Sequence, residues 1–327
     1  MKPKTGNGMR KLVAGVALGF AALALLIPRD VRVAPLVVAL GLRPSSETLI
    51  VARERGLLPD QRVRLIDMTW PSTAMRAFGN QVVDAAVLSL DEVLRLREPG
   101  RGVRVVMVLD VSNGAEAVIG SERATSLAEL RGKRVGVDLR SSGMLVLESA
   151  LASAGVQTTE VELVPLSPSE SGAAMLDNQV DAVVLAEPWM TRLQRANTKV
   201  LYHSSQMKMP LYRVLVVSEQ AFLGKQTELR LLVDAHFAME RELRFPDVPE
   251  AWSVAYRREG LSLAEFQQSL SRVSMIDREA NAKILESGGE LERQSAALEV
   301  FMLERGLLKA KPAVAQWIDS SLLEQAP

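Results

Sequence analysis

Apolar positions along this 327-residue chain fall into short runs separated by stretches of helical period. Residues 36–40 are continuously apolar, which marks a strand buried on both faces. Residues 47–55 have helical spacing and stop at Gly56, with Ser45 or Ser46 placed to cap the first turn. Residues 62–67 alternate as a second strand, and Ser72 and Thr73 cap a helix through Phe78. Strands at 82–88 and 103–109 flank a helix at 91–96, and 115–120 is a further strand. The pattern then starts again. A short helix at 127–133 leads to a strand at 134–137, Ser141-Ser142-Gly143 opens a helix through Ala154, a strand follows at 161–166, and Ser167–Glu170 caps a helix ending near Asp177. After strands at 180–185 and 211–218 the chain reads as helical: 228–244, 248–258, 263–270, 277–286 and 290–307. Strands alternating with helices predict the α/β class, with mostly parallel sheets flanked by helices.

Two of these segments are near copies. Ala77-Phe78-Gly79-Asn80-Gln81-Val82-Val83-Asp84-Ala85 and Met175-Leu176-Asp177-Asn178-Gln179-Val180-Asp181-Ala182 each read as a helix end, an Asn-bearing stop and the start of an apolar strand. The repetition implies two similar lobes, and a cleft between facing lobes is a place for a ligand.

Composition narrows the chemistry. Basic and acidic residues number 39 each, so no global field draws in nucleic acid or a charged membrane. The sequence contains no cysteine, which excludes disulfides, thiol catalysis, cysteine-ligated metal and cysteine-linked lipid. The two histidines, His203 and His236, are too few for a histidine-rich metal site, so neither metal nor cofactor is expected. His236 shares a helical stripe with Leu229, Leu232 and Val233 and reads as a helix-face residue. His203 lies near the return from the second lobe and reads as a hinge or surface residue.

Lys2, Lys4, Arg10 and Lys11 precede an uncharged run at 12–27, the form of an export signal. As a helix that run reaches roughly 24 Å, short of a full span and favouring a signal peptide. No good cleavage site follows it, which favours an uncleaved anchor. Both readings place the chain after Pro35 outside the cytoplasm, in the periplasm or tethered to the inner membrane.

The order of signals resembles the periplasmic substrate-binding proteins of ABC importers, in the nitrate/sulfonate/taurine-like subgroup that includes binders of thiamine-pyrimidine precursors. The resemblance rests on the phrase Ala-Leu-x-x-Gly-x-Val-Asp-Ala, matched once per lobe by the two copies above, and on Asp110-Val111-Ser112-Asn113-Gly114-Ala115-Glu116 before the passage into the second lobe. It rests further on Leu130-Arg131-Gly132-Lys133-Arg134-Val135-Gly136-Val137, on Glu187-Pro188-Trp189, and on the ending Ile318-Asp319-Ser320-Ser321-Leu322-Leu323. It covers residues 36–323. It implies a two-lobe type II binding fold with two hinge crossings, lobe 1 comprising 36–117 and 213–327 and lobe 2 comprising 118–212. The first loop departs from the family pattern by carrying Arg43.

In open parallel sheets ligands sit beyond the carboxyl ends of the strands. That rule selects Ser45, Ser46, Ser72, Thr73, Ser141 and Ser142 at helix starts, where free N–H groups favour an anion. An ordinary N-cap role explains each of them equally well. Asp91, Asp110 and Glu187 stand at strand ends, where a carboxylate accepts from an amine or a ring N–H. For Asp110 and Glu187 the competing account is a salt bridge or an inter-lobe latch. Trp70 and Trp189 follow strands in different lobes and either cover a ligand or fill a core. Ser112 and Asn113 occupy the first crossing, and Asn113 either touches ligand or stabilises the turn before Gly114. A mixed cleft of this kind suits a small zwitterion or polar heterocycle, such as an aminosulfonate or a pyrimidine.

The expected function is a monomeric solute receptor serving the permease subunits of an ABC importer. A membrane-tethered sensor of the same fold, acting on a signalling partner, is the alternative. An enzyme on this fold is not expected: no Ser-His-Asp set, metal set or phosphate loop appears in the sequence.

Overall fold

The computed structural model describes residues 34–68, 70–97, 102–193, 198–243, 252–312 and 316–324. The apolar run after Pro35 forms β1 (Leu36–Gly41), an interior strand of a six-stranded sheet in the order β11-β4-β10-β3-β1-β2. Its other members are β2 (Val63–Met68), β3 (Ala85–Ser89), β4 (Val103–Ser112), β10 (Tyr212–Ser218) and β11 (Val273–Met275). A second, five-stranded sheet has the order β7-β6-β8-β5-β9, from β5 (Glu116–Gly120), β6 (Arg134–Val137), β7 (Glu162–Pro165), β8 (Ala182–Ala186) and β9 (Lys199–His203). Helices flank both sheets, and Val38, Val87, Val106, Leu215 and their neighbours are buried between sheet and helices. We call the elements of the six-stranded sheet lobe 1 and those of the five-stranded sheet lobe 2.

In each sheet one half is parallel and the other antiparallel. β1 runs parallel to β2 and β3, and β6 runs parallel to β7 and β8. β10 runs antiparallel to β3 and β4, and β5 antiparallel to β8 and β9. The antiparallel strands are the ones that enter or leave the other lobe. β4 passes into β5 within a few residues, and β9 returns to β10, so the chain crosses twice. Gly114 on the first crossing has φ 98°, and a Cβ there would lie 3.6 Å from His203 Nδ1 at the start of the second. The left-handed conformation suits glycine and lets the two crossings run side by side.

The internal repeat has a shared structural purpose. Helices Pro71–Gly79 and Pro168–Leu176 each end with one left-handed residue, Gln81 (φ 59°) and Asn178 (φ 59°). The sequence suggested an Asn in both stops. In lobe 1 the strand starts one residue later, so the position falls on Gln81. The carbonyls left over at each helix end accept from Val82 and Gln179, both at short range, closing the turn. The aspartate two residues further on then brackets one residue of the neighbouring parallel strand. Asp84 N–H donates to Val37 O (2.9 Å) while its Oδ2 accepts from Val37 N–H (2.8 Å). Asp181 N–H donates to Arg134 O (2.8 Å) while its Oδ2 accepts from Arg134 N–H (3.0 Å). Each aspartate therefore pins the start of its lobe's first parallel strand, β1 or β6.

Several boundaries differ from the sequence reading. The strands expected from 82 and 180 begin at Ala85 and Ala182, because the residues before them are spent on the helix-ending turn. The helix expected at 127–133 is a single 3-10 turn, Ala128–Leu130. β9, β11 and the short helix Trp189–Leu193 were not read from the sequence; each is five residues or fewer and carries too little periodicity to register. No helix among the described residues is long and apolar enough to cross a membrane. The run at 12–27 read as a signal or anchor lies outside the described residues.

Candidate functional site

The carboxyl ends of the parallel strands of both lobes converge on a narrow crevice of about 30 Å³. Lobe 1 contributes Leu42 and Arg43 from the loop after β1. Lobe 2 contributes Glu116 at the start of β5, Asp138, Ser141 and Ser142 after β6, and Pro168, Glu187 and Trp189. A larger hollow, about 820 Å³, lies against helix Glu290–Glu304 and residues 316–324, away from these strand ends.

A buried ion cluster forms the floor. Glu116 Oε1 accepts from Arg43 Nη1 (2.6 Å) and from Arg213 Nη2 (2.6 Å), and its Oε2 accepts from Ser112 Oγ. Ser112 Oγ also lies 2.6 Å from Ser204 Oγ, which accepts from Gly114 N–H (3.0 Å). These contacts tie Arg43, β10 and both crossings to one carboxylate. Burial alone would raise the pKa of Glu116; Arg43, Arg213 and Ser112 outweigh it and hold the carboxyl below its ordinary value. Burial and the neighbouring Arg213 lower Arg43. Asp110 is directly opposite Arg213 across the β4–β10 pair, and burial pushes it up to about 6 against the pull of Arg213 and Arg43. Two guanidinium groups thus share one ionised carboxylate, Glu116, with Asp110 and Glu92 as further acidic neighbours of both, so the floor is a network of both signs with Arg43 as its member on the crevice wall.

The serines divide sharply. Ser46 and Ser142 precede helices Glu47–Glu54 and Gly143–Ser153, yet neither side chain caps its helix. Ser46 is buried with a hydroxyl that has no hydrogen-bond partner among the described residues, and Ser45, also buried, turns its hydroxyl toward the Asp110 carboxyl. Capping therefore does not account for them. Ser141 Oγ, by contrast, donates to Asp138 O (2.9 Å) and accepts from Gly143 N–H (3.1 Å), shaping the loop that opens the helix. Helix Pro71–Gly79 begins with proline at its first position, so Ser72 and Thr73 fall inside its first turn instead of before it.

Of the side chains selected from sequence, Ser141, Ser142, Glu187 and Trp189 line the crevice. Ser112 and Asp110 belong to the ion cluster beneath it. Trp70 is 38% exposed at the start of its helix, and Asp91 is fully buried in an ion pair with Arg95 (2.9 Å). Asn113 is exposed on the crossing, where its N–H donates to Arg272 O (2.8 Å). Glu187 is engaged in the latch that was its alternative reading: its carboxylate accepts from Arg272 Nη1, from Thr191 Oγ1 (2.9 Å) and from Thr191 N–H (3.1 Å). His236 is buried on its helix, with Nδ1 2.8 Å from Thr48 Oγ1; burial, and secondarily Arg278, depresses its pKa to about 3.

Sequence reasoning missed Arg213, Ser204, Asp138 and Arg272. Asp138 had a usable signal, since it ends the strand Arg134–Val137. Arg213 and Arg272 had none, because they come to the crevice only through strand pairing far along the chain.

Two α/β lobes joined by two crossings, with a polar crevice at their strand ends, define the type II fold of periplasmic binding proteins. Over residues 43–236 the chain matches the family described as NMT1/THI5 like, and it belongs to that family. A Haemophilus influenzae protein designated as one of thiamine biosynthesis is 24% identical over 290 residues, covering 84% of this chain and 87% of that protein. A Brucella abortus protein designated a binding protein is 30% identical over 90 residues; the match spans 28% of this chain and 28% of that relative. Among solved structures, the alkanesulfonate-binding protein SsuA of Xanthomonas axonopodis pv. citri, bound to MOPS, superposes with a TM-score of 0.68 at 17% identity, covering 85% of this chain and 96% of that one. The ligand-binding component of an ABC-type import system from Staphylococcus aureus gives a TM-score of 0.71 at 16% identity, covering 90% and 99%. The desulfurization enzyme DSZB shares the fold at a TM-score of 0.60 and 20% identity, covering 89% and 98%.

Proposed function

We propose that the chain is an extracytoplasmic solute-binding receptor that takes a small polar molecule bearing an anionic group and a hydrogen-bond donor, such as an aminosulfonate or an amino-substituted pyrimidine acid, and delivers it to an ABC importer. The observation that carries the ligand class is the facing of Arg43 in lobe 1 with the Ser141-Ser142 start of helix Gly143–Ser153 in lobe 2. An anion held there meets a guanidinium on one side and a helix N-terminus on the other. Glu116 and Glu187 are already engaged by arginines, so Asp138 is the carboxylate that accepts from the ligand's donor. Trp189 supplies an apolar wall. The crevice is too small for such a ligand with the lobes as they stand, so entry requires hinge opening.

The likeness to the sulfonate-binding and ABC-import structures supports transport, with permease subunits as the protein partner and an extracytoplasmic location; the monomeric state and the tether are proposed from the sequence alone. No observation favours the sensor alternative. The fold is shared with an enzyme, DSZB. The crevice side chains here are a guanidinium, carboxylates, hydroxyls and an indole, a set suited to holding a ligand.

The test is thermal shift and calorimetry against a panel of alkanesulfonates, aminosulfonates and aminopyrimidines. A true ligand at about 100 times its Kd stabilises the fold by about 2.7 kcal/mol. Arg43→Gln should weaken that ligand by about 1.5–3 kcal/mol, the range for a charge-assisted hydrogen bond. A panel with no binder, or a binder indifferent to Arg43, defeats the reading.

A further inference from the structure

Two arginines cross between the lobes in opposite directions. Arg272 of lobe 1, immediately before β11, donates through Nη1 to Glu187 and to Thr191 Oγ1 (3.2 Å) in lobe 2. Its own carbonyl is held by Asn113 N–H (2.8 Å) on the first crossing, so the arm starts from a fixed point beside the hinge. Arg192 of lobe 2 reaches back and donates through Nε (2.7 Å) and Nη2 to the Glu259 carbonyl in lobe 1, at the end of helix Ser253–Arg258. Its guanidinium lies 4.5 Å over the ring of Trp189.

Both arms have fitted seats. Thr191 N–H and Oγ1 fix the Glu187 carboxylate from the lobe 2 side, so Arg272 meets an acceptor already oriented. Gly260 follows Glu259 with φ 61°, and a Cβ there would stand 2.8 Å from Arg192 Nη2. A side chain there would displace the guanidinium, and the left-handed φ independently favours glycine. The arms run from residues in or adjoining the crevice: Glu187 and Trp189 are crevice walls.

We infer that Arg272 and Arg192 form a reciprocal clasp across the lobes that sets the balance between closed and open states, with Gly260 and Thr191 as its seats. The clasp tilts the hinge toward closure before any ligand arrives. Its effect on affinity rests on the proposed receptor function, whereas its effect on closure does not. Arg272 and Arg192 are positioning residues: they touch the walls of the crevice, and each substitution that frees the lobes lowers the fraction of molecules ready to enclose a ligand.

The absence of cysteine allows clean labelling. Trp70→Cys and Leu139→Cys place spin labels at exposed positions beyond the carboxyl ends of β2 and β6, one in each lobe. Distances across the mouth are measured by pulsed EPR in the full chain without ligand. Arg272→Gln and Arg192→Gln are each expected to shift the closed-to-open ratio about tenfold toward longer distances, the order expected for one charge-assisted contact. Arg272→Lys keeps a cation for the seated Glu187 carboxylate and is expected to restore much of the short distance lost in Arg272→Gln, which a merely structural role would not produce. Gly260→Ala provides a route that leaves both arginines in place, and it should lengthen the distance by displacing Arg192. Unchanged distance distributions in the two arginine variants, with melting temperatures showing that they are folded, overturn the inference. A restored distance with no binder in the solute panel retains the clasp and removes the receptor reading.

Discussion

Replacing Glu116 with glutamine tests the centre of the crevice floor. The substitution keeps the shape but removes the charge shared by Arg43 and Arg213, both bonded at 2.6 Å and both almost wholly buried. Taking one partner from a buried ion pair costs about 3–5 kcal/mol, because the remaining charge stays out of water without compensation. Here two guanidiniums are left facing each other. Asp110 offsets part of this by ionising more fully opposite Arg213. The expected loss is therefore about 3 kcal/mol, near the lower end of that range. For a chain of this size the drop in Tm is about 5–10 °C. Arg43→Met added to Glu116→Gln removes one of the stranded charges and should recover about 1–2 kcal/mol. The pH dependence has a definite sign. Glu116 titrates below its unfolded value near 4.5, so its stabilisation is fully present above that pH and is lost as pH falls through the lower folded value. The variant should accordingly show a shallower loss of stability on the acid side. Urea denaturation followed by circular dichroism from pH 3 to 7 measures both effects. A loss below about 1 kcal/mol, or a double variant no more stable than the single, would refute the shared-carboxylate account.

Asp110→Asn should act in the opposite sense. Its folded pKa of about 6 lies above the ordinary aspartate value of 3.8, so the wild-type group favours folding when protonated and costs stability as pH rises through that window. The stability difference between variant and wild type should change between about pH 4 and 6 and be level outside it; a level difference throughout contradicts the burial argument. Asp181→Asn removes the carboxylate that brackets Arg134 at the start of β6 and pairs with Arg123 (2.9 Å). A loss of about 1–2 kcal/mol is expected, with faster amide exchange at Arg134, and unaltered exchange there would show that the backbone contact matters little. Arg43→Gln and the clasp variants are tested by the ligand panel and by EPR as described.

The alternation of apolar strands with helical stretches, together with the repeated turn-and-aspartate phrase, was enough to reach two α/β lobes. Those features are local: a buried strand needs consecutive apolar residues, and a helix end needs its left-handed residue, whatever lies far along the chain. Crevice residues at strand ends, Ser141, Ser142, Glu187 and Trp189, were legible for the same reason. The partners were not. Arg213 meets Glu116, 97 positions away, because β10 returns from lobe 2 to lie beside β4. Arg272 meets Glu187, 85 positions away, because β11 closes the edge of the six-stranded sheet beside the crossing. No local period encodes either encounter. Whether a serine at a helix start caps it was likewise settled by packing: Ser45 and Ser46 look like caps in the sequence, yet in lobe 1 Ser45 turns toward Asp110 and the buried Ser46 side chain makes no cap bond. The elements, and which of their ends carry polar groups, follow from local pattern; the pairing of charges across long separations, and with it the electrostatic character of the crevice, arose only when strand order brought distant residues into a medium of low dielectric.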